Sequence, residues 1–575
     1  MYRTSETYNT NIMSGSTPQD LLLCFDDWYA DANEGDVLLG GAEFDMAMST
    51  EQNIRLGACC ASTMSCKLIN RYNALSSVGW GWARVLIGTR INTATNANTG
   101  LYAYYGGTLI TGDATGLKIG GSTVISSPIK GFCLDTEYIY VWAEIGARKV
   151  DLSNNSVGTW AASDYMKAKL ENVRPSLWID MKEGASVTIG GTTYTNPTRI
   201  VYNEKEQETW EYCPMGVYNV DKPAKVKTNT VDISEAYDAM VLLDQSATPL
   251  LQDLEYPVAM SAVFTGILEQ AGIPLITTPR PYRRIQGNTL WPFRTADKVE
   301  ANPMRRAGNS YTLRDLMEFL MEYAGCYGRI NRDGEFEWYE NAKLSNTSTG
   351  WRQKGAELRP SVIAMAGIDK SEYKVKQITL LTIETLEGDI YQNGASTATN
   401  PNVYQIYGNP FFVDNSLLSD ILGTVGEIYL AGMGLNMETL EYPADISVIR
   451  WNPAFDPGDL ASVYENENDI LPGYGIRLQH ISMSWNGAST ADLSYTGDAV
   501  RDSRETAGIQ QQYSSTTIRE MINYQNAKTT RETVINDGQT VRLQHISFES
   551  SKGYHLTIRT ELHLYAEPEE PEPEE

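Results

Sequence analysis

The chain has 575 residues, 72 Asp and Glu against 46 Lys and Arg, a net charge of −26, and 42% hydrophobic residues. That apolar content can fill several cores, about four domains at roughly 150 residues each, and excludes global disorder. The acidity excludes a protein that grips nucleic-acid phosphates or anionic lipid through a basic face.

The first residues, Met1-Tyr-Arg-Thr-Ser-Glu6, contain no apolar run, so no signal peptide is expected. From Leu86 to Tyr202 the chain reads as short strands, including Leu101–Tyr105, Glu137–Ala143 and Ser186–Ile189. Gly106-Gly107, Gly120-Gly121 and Gly190-Gly191 mark turns between them, which suggests a sandwich or meander of its own. The most apolar stretch, Pro257 to Leu275, carries Ser261, Thr265, Glu269 and Gln270 and is too polar for a membrane span.

Three helices are expected against this β background. The first starts at Pro257, a good N1 residue, places Val263, Ile267, Leu268 and Ala271 on one face, and closes at Gly272. The second is capped by Thr312 with Asp315 three residues on, buries Leu313, Leu316, Met317, Leu320, Met321 and Ala324, and ends at Gly325. A hairpin follows it: Cys326–Ile330, a turn at Asn331-Arg332-Asp333-Gly334, then Glu335–Tyr339. The third opens after Asn415 or Ser416 and buries Leu417, Leu418, Ile421, Leu422, Val425 and Ile428. All three stripes read as core rather than as cofactor pockets.

Beyond Asp502 the chain is polar and Gln-rich, and reads as a linker or interface helix up to Arg531. A small β unit from about Glu532 precedes a tail in which six glutamates alternate with three prolines. The phrase Arg477-Leu-Gln-His-Ile-Ser482 returns as Arg542-Leu-Gln-His-Ile-Ser547, with no longer period behind it.

Chemistry is sparsely signalled. No phosphate-binding loop, serine-hydrolase elbow or zinc-protease motif occurs. The seven cysteines form no CxxC pair and have no nearby histidine, so buried free thiols are expected. His480, His545, His555 and His563 fall late, in strand patterns, with no third ligand at useful spacing. No catalytic, metal-binding or cofactor-binding residue, and no cofactor, is therefore assigned. Paired-carboxylate chemistry has candidates in Asp26, Asp27, Asp135, Glu137, Asp180 and Glu183, but an acidic chain brings such residues close by chance. Aromatic stacking is the more specific signal, because 34 Tyr and 12 Trp outnumber 11 Phe. Tyr104, Tyr105, Trp142, Trp160, Trp178 and Trp210 in or beside the Gly-rich β region are candidate glycan-binding residues. Sandwich-core filling is the competing reading of the same rings.

Several segments in order resemble the tail hub proteins of long-tailed bacteriophages, which include tail-tip and tail-associated proteins. Glu43-Phe-Asp-Met-Ala-Met-Ser-Thr-Glu51, then Ile54-Arg-Leu-Gly-Ala58 and Ser62–Leu68, look like that family's opening strands. Pro214-Met-Gly-Val-Tyr-Asn-Val220 and Ile233-Ser-Glu-Ala-Tyr-Asp-Ala-Met240 are similar to two later phrases. The helix ending at Ala271, the Thr312–Gly325 helix with its hairpin, Asn409-Pro410-Phe411 and Asp456-Pro-Gly-Asp459 continue the order. The match spans Asp36–Tyr72, Glu211–Lys343 and Val403–Val500.

The resemblance implies a mainly β, α+β chain in which β-barrel or sandwich domains of a hub carry an inserted β domain. Its expected divisions are an N-terminal hub β segment over 1–85, the insertion over 86–210, an α+β hub domain over 211–345 and a hub β domain with one helix over 346–501. A linker over 502–531, a C-terminal β unit over 532–566 and a disordered acidic tail over 567–575 complete them. It further implies a non-enzymatic virion protein, made in the bacterial cytoplasm and placed at the tail tip. Such a protein would form a homotrimer between the tail tube, distal tail and tape-measure proteins above and tail fibre or receptor-binding proteins below, with DNA passing only in transit. The alternatives carried beside it are an adhesin whose insertion binds a host-surface glycan and, more weakly, a cell-wall glycosidase.

Overall fold

The computed structural model describes residues 2–49, 57–70, 74–221, 229–254, 258–275, 290–291, 311–340, 356–359, 361–370, 380–384, 390–394, 403–406, 409, 411, 444–464 and 470–495. The chain is mainly β, with short helices set against several sheets. The expected helix over 417–428, the second copy of the six-residue phrase, His545, His555, His563 and everything assigned beyond 502 lie outside the described residues.

Two strands of 15 residues each, Gly81–Thr95 and Glu206–Val220, organise the molecule. They run antiparallel from Gly81 opposite Val220 to Thr95 opposite Glu206, with irregularities at Thr209/Trp210 and Pro214/Gly216. At about 3.3 Å per residue each spans roughly 50 Å. Gly88 is needed in this ladder. A Cβ there would sit 2.4 Å from the ring of its partner Tyr212, whose hydroxyl donates to Asp20 at 2.7 Å. Residues 86 and 210 both lie inside these strands.

From this pair the hydrogen-bonded path branches. One arm runs through Thr230–Asp238, Thr63–Ile69, Val37–Ala47, His480–Trp485, Ser489–Tyr495 and Ala444–Val448 to Ile363–Lys370. The other passes from Glu206–Val220 through Thr198–Asn203 and Ser176–Ile179 to the meander Ile129–Leu134, Tyr138–Ala143, Gly146–Asp151 and Val157–Thr159. Gln19–Cys24 adds to the outer side of Gly81–Thr95 and pairs in turn with Tyr29–Asp31. Among the described residues these ladders form an open, branched sheet and close no barrel.

The segment between the two long strands, residues 96–205, has its own core and is called the insertion only for its place between two paired strands. A second sheet, Leu101–Tyr105, Thr108–Asp113, Gly116–Ile119 and Ser122–Ile125, shares with the meander a cluster containing Tyr102, Ile110, Leu117, Phe132, Val141 and Tyr202. Tyr138–Ala143 alternates in the expected way: Ile139, Val141 and Ala143 are buried, and Tyr138, Tyr140 and Trp142 face outward. The Gly106-Gly107, Gly120-Gly121 and Gly190-Gly191 pairs all take positive φ, as two-residue hairpin turns require. Helix Asp164–Asn172, capped by Ser163, packs on this sheet where Gly131 leaves room; a Cβ at Gly131 would meet the Leu170 carbonyl oxygen at 1.8 Å.

On the other arm, helix Leu313–Ala324 follows the sequence expectation closely. The Thr312–Asp315 capping box is formed in both directions, and Gly325 adopts the left-handed closing conformation. The hairpin Cys326–Ile330 with Phe336–Glu340 comes straight after it. The neighbouring helix departs from expectation at its start. It spans Met260–Ala271, because Val258–Ala259 is drawn into a short pairing with Leu290–Trp291 and stays extended. Pro257, expected as its N1 residue, lies outside the described residues. Its Phe264 meets Trp338 edge-on at 4.9 Å, locking helix to hairpin. Helices Glu6–Ser14, Asp164–Asn172 and Thr248–Asp253 were not expected.

Candidate functional site

The segments that carry the family resemblance are joined by buried polar contacts. Asp238, in the Ala-Tyr-Asp-Ala-Met phrase, caps a short 3₁₀ helix at Ala239–Asp244 by accepting from Met240 N, and also accepts from Ser62 N, each at 2.9 Å. Burial pushes its carboxyl up to about 6. Arg332, in the Asn-Arg-Asp-Gly turn, is buried and donates to Asp456 at 2.9 Å and to the carbonyls of Pro214, Pro453 and Phe455 at 2.5, 2.7 and 3.1 Å. A turn arginine reads as solvated in the sequence; here it ties three distant phrases together. His480 opens its strand with Nε2 2.9 Å from Asp45 Oδ2, and that hydrogen bond raises its pKa against the effect of burial.

At the root of the insertion lies a second concentration of charge. Lys169, fully buried on helix Asp164–Asn172, pairs with Glu34 at 2.6 Å and with Asp36. Arg199 pairs with Glu34 at 2.6 Å and with Asp31. Burial opposes both positive charges, but Glu34 and the other acidic neighbours outweigh it and hold both groups above their ordinary values. Burial also drives the Asp20 carboxyl well above the usual carboxylate range, and the neighbouring Asp31 adds to the effect. These pairs join strands of the N-terminal segment to a helix and a strand of the insertion.

Two cavities flank Arg199. One, of about 310 Å³, is polar and takes in Asn33, Arg174, Asn203, Glu208 and Trp210. The other, of about 290 Å³, is the candidate site, and its walls come from two distant parts of the chain. The turn after Gln19–Cys24 supplies Phe25, Asp26, Asp27, Trp28 and Tyr29; the insertion supplies Asp135, Tyr140, Trp160, Trp178 and Asp180. The first wall is firmly built. Phe25 stacks on Trp28 at 4.2 Å, Trp28 donates to Gly79 O at 2.7 Å, and Trp80 closes edge-on at 5.3 Å. Opposite it, Trp160 meets Tyr140 edge-on at 5.2 Å and Trp178 meets Tyr212 edge-on at 5.5 Å.

Four of the six carboxylates considered from sequence line this cleft, and they differ in freedom. Asp135 accepts from Glu137 N and Tyr138 N at 2.7 Å each and from the Tyr140 hydroxyl at 2.9 Å, so both its oxygens are engaged in holding its own turn. Asp26 and Asp27 are exposed. Asp180 is also exposed, at 40%; the protein packed around its carboxyl pushes it up and Arg84, 3.6 Å away, pulls it back. Burial raises Cys24 and Cys133, which also line the cleft from its two sides, to about 12, which keeps both as thiols. This arrangement can accept hydrogen bonds and stack on a ring. Among the described residues no group of three or more His, Cys, Asp or Glu is placed to hold a metal ion.

The six aromatic candidates separate. Trp160 and Trp178 line the cleft, and Trp210 is buried beside the polar cavity with its indole N–H on Glu208 at 3.2 Å. Tyr104 and Tyr105 pack against the insertion core; the Tyr104 hydroxyl accepts from Asn98 at 2.5 Å and the Tyr105 hydroxyl donates to Thr136 O at 2.8 Å. Trp142 lies on the outer face with the Lys130 and Lys167 ammonium groups 5.1 and 5.8 Å from its ring and its N–H on Glu171 at 3.1 Å. Phe25, Trp28, Tyr29 and Tyr140 were not among the candidates. The run Phe25-Asp-Asp-Trp-Tyr29, two acids inside three aromatics, was the signal that could have found most of them.

No protein-family model and no curated protein matches the chain. Among solved structures it is similar to the 43 kDa tail protein of prophage MuSo2 from Shewanella oneidensis, at 10% identity and a TM-score of 0.33, covering 83% of this chain and 97% of that one. It is also similar to the tail protein from Neisseria meningitidis MC58, at 9% identity and a TM-score of 0.32, covering 84% and 97%. Likeness of this degree does not define a shared fold.

Proposed function

We propose that this chain is a structural protein of a phage tail: a homotrimeric hub at the distal end, joining the tail tube to host-contact proteins and leaving a channel for DNA. The observation that carries this reading is how the resemblance segments assemble. The matched spans supply Val37–Ala47, Thr63–Ile69, most of Glu206–Val220, Thr230–Asp238, His480–Trp485 and Ser489–Tyr495 to one hydrogen-bonded sheet. They pair consecutively along one arm, with no strand of the 96–205 segment between them. The net charge of −26 suits the reading, since acidic surfaces keep transiting DNA from sticking. Sedimentation of the purified chain tests it, with cryo-EM of tail particles from the same lysate. A trimer, and density for the chain at the tail tip, are expected. A protein that stays monomeric at high concentration and is missing from tails overturns the proposal.

A second reading, binding of a host-surface glycan by the insertion, is favoured by the cleft itself, where aromatic rings and hydrogen-bond acceptors converge.

A further inference from the structure

We infer that the cleft at the root of the insertion binds a carbohydrate of roughly one or two rings that is uncharged or bears an amino group, and that it discriminates against anionic sugars. The inference rests on the glycan reading and is independent of the hub.

The chemistry follows from what the walls present. Sugar rings offer C–H faces that pack on indole and phenol rings, and hydroxyls that donate to carboxylates. The cleft holds both kinds of group, with Trp160 and Trp178 on one wall and Asp26, Asp27 and Asp180 at its edge. The sign of the ligand is set by which charges are already spent. Arg199, the cation on the wall, is committed to Asp31 and Glu34, and Arg84 is shared between Asp180 and Asp333. Among the described residues no ion pair engages Asp26 or Asp27. An incoming carboxylate, sulfate or phosphate therefore meets negative charge without a free cation to receive it. A hydroxyl finds acceptors, and an ammonium group finds both carboxylates and aromatic faces.

The volume, about 290 Å³, lies at the small end of ligand pockets, which run from roughly 300 to 1,000 Å³. Its two-part construction has a second consequence. Phe25, Asp26, Asp27 and Trp28 precede the insertion by some 60 residues, so an excised 86–210 fragment lacks half of the site.

Calorimetric titration of the full chain tests the inference, using chitobiose in its acetylated and deacetylated forms, maltose, sialyllactose and choline as probes. Binding of at least one uncharged or amino sugar is expected, with sialyllactose weaker than either. Trp178→Ala and Trp160→Ala should each weaken binding about tenfold, and Trp82→Ala, an exposed ring outside the cleft, should leave it unchanged. Asp26→Asn with Asp27→Asn should erase any preference for the deacetylated sugar. Far-UV circular dichroism identifies a variant that fails to fold, in which case the other tryptophan decides. No binding of any sugar overturns the glycan reading and this inference with it. Sugar binding that both tryptophan variants leave intact, or that favours sialyllactose, overturns the cleft assignment alone. Choline binding without sugar binding makes the cleft a cation site and overturns the carbohydrate.

Discussion

Replacing Lys169 tests whether the insertion is locked to the N-terminal segment by buried charge. Its ammonium group is fully buried, 2.6 Å from Glu34, in contact with Asp36, and 4.2 Å from the Tyr29 ring. Breaking a buried pair by removing one partner generally costs about 3–5 kcal/mol, because the other charge is left without compensation. Here the two carboxylates do not suffer equally. Glu34 is 16% exposed and keeps Arg199 at 2.6 Å, so it remains paired. Asp36 is 1% exposed and retains one donor, the Asp31 N–H at 3.1 Å. The loss therefore falls almost wholly on Asp36, and Lys169→Met, which preserves most of the volume, should destabilise by about 3 kcal/mol. Adding Asp36→Asn removes the stranded charge and should recover roughly 1–2 kcal/mol, the signature of coupling between the two positions. Urea unfolding followed by tryptophan fluorescence reads the totals, and hydrogen exchange of Asp164–Asn172 shows whether the helix is what loosens. A loss below about 1 kcal/mol, or no recovery in the double variant, would refute the reasoning.

Gly131→Ala places a methyl group against the Leu170 carbonyl and should destabilise by about 2–3 kcal/mol in urea, with protection lost first in the same helix. His480 should titrate above its ordinary 6.5 by NMR, because its pKa is raised by Asp45; the pair's contribution is then complete below 6.5 and lost as pH rises through the folded value. In Asp45→Asn the midpoint should fall, since burial acts in the opposite direction, and an unmoved midpoint would contradict the pairing. For Asp238 the direction is the same and the cause differs: burial lifts its carboxyl from 3.8 to about 6, so the folded state holds the proton more tightly and wild-type stability falls as pH rises through that window. Asp238→Asn should therefore be more damaging at pH 4 than at pH 7 by roughly 2 kcal/mol, measured as the difference between the two urea curves.

What the sequence discloses depends on whether the determinants of an element are local. Helix Leu313–Ala324 carries its cap, stripe and closing glycine within fourteen residues, and each of those signals acts within one or two turns. The Gly-Gly hairpins are equally local. Helix Glu6–Ser14 has no such stripe: it buries Tyr8 and Ile12, and Tyr8 finds its partner in the Ile87 carbonyl, 79 residues away. Lys169 defeats polarity reasoning outright, because a lysine on a short helix reads as solvent-facing until Glu34 and Asp36 are brought beneath it. The aromatic candidates show the same limit. A search within the Gly-rich region found Trp160 and Trp178, but it could not see that Lys130 and Lys167 crowd Trp142, or that the facing wall is Phe25–Tyr29.

The insertion also bears on how load would pass through the molecule. A module joined by a flexible linker reorients freely, and contact at its surface says little to the body that carries it. Here the connection is a continuous antiparallel ladder, Gly81–Thr95 with Glu206–Val220, braced by Gln19–Cys24 and by the Lys169 and Arg199 ion pairs at the same root. The cleft lies at that root, between the Phe25–Tyr29 turn and the strands Ser176–Ile179 and Thr198–Asn203. A ligand held there bridges both sides of the junction, so it adds to the bracing and does not pull on a free arm. Sugar binding that raises the urea midpoint of wild type but not that of Lys169→Met would place ligand and ion pairs in one cooperative unit. Equal shifts in both proteins would show that the two act independently.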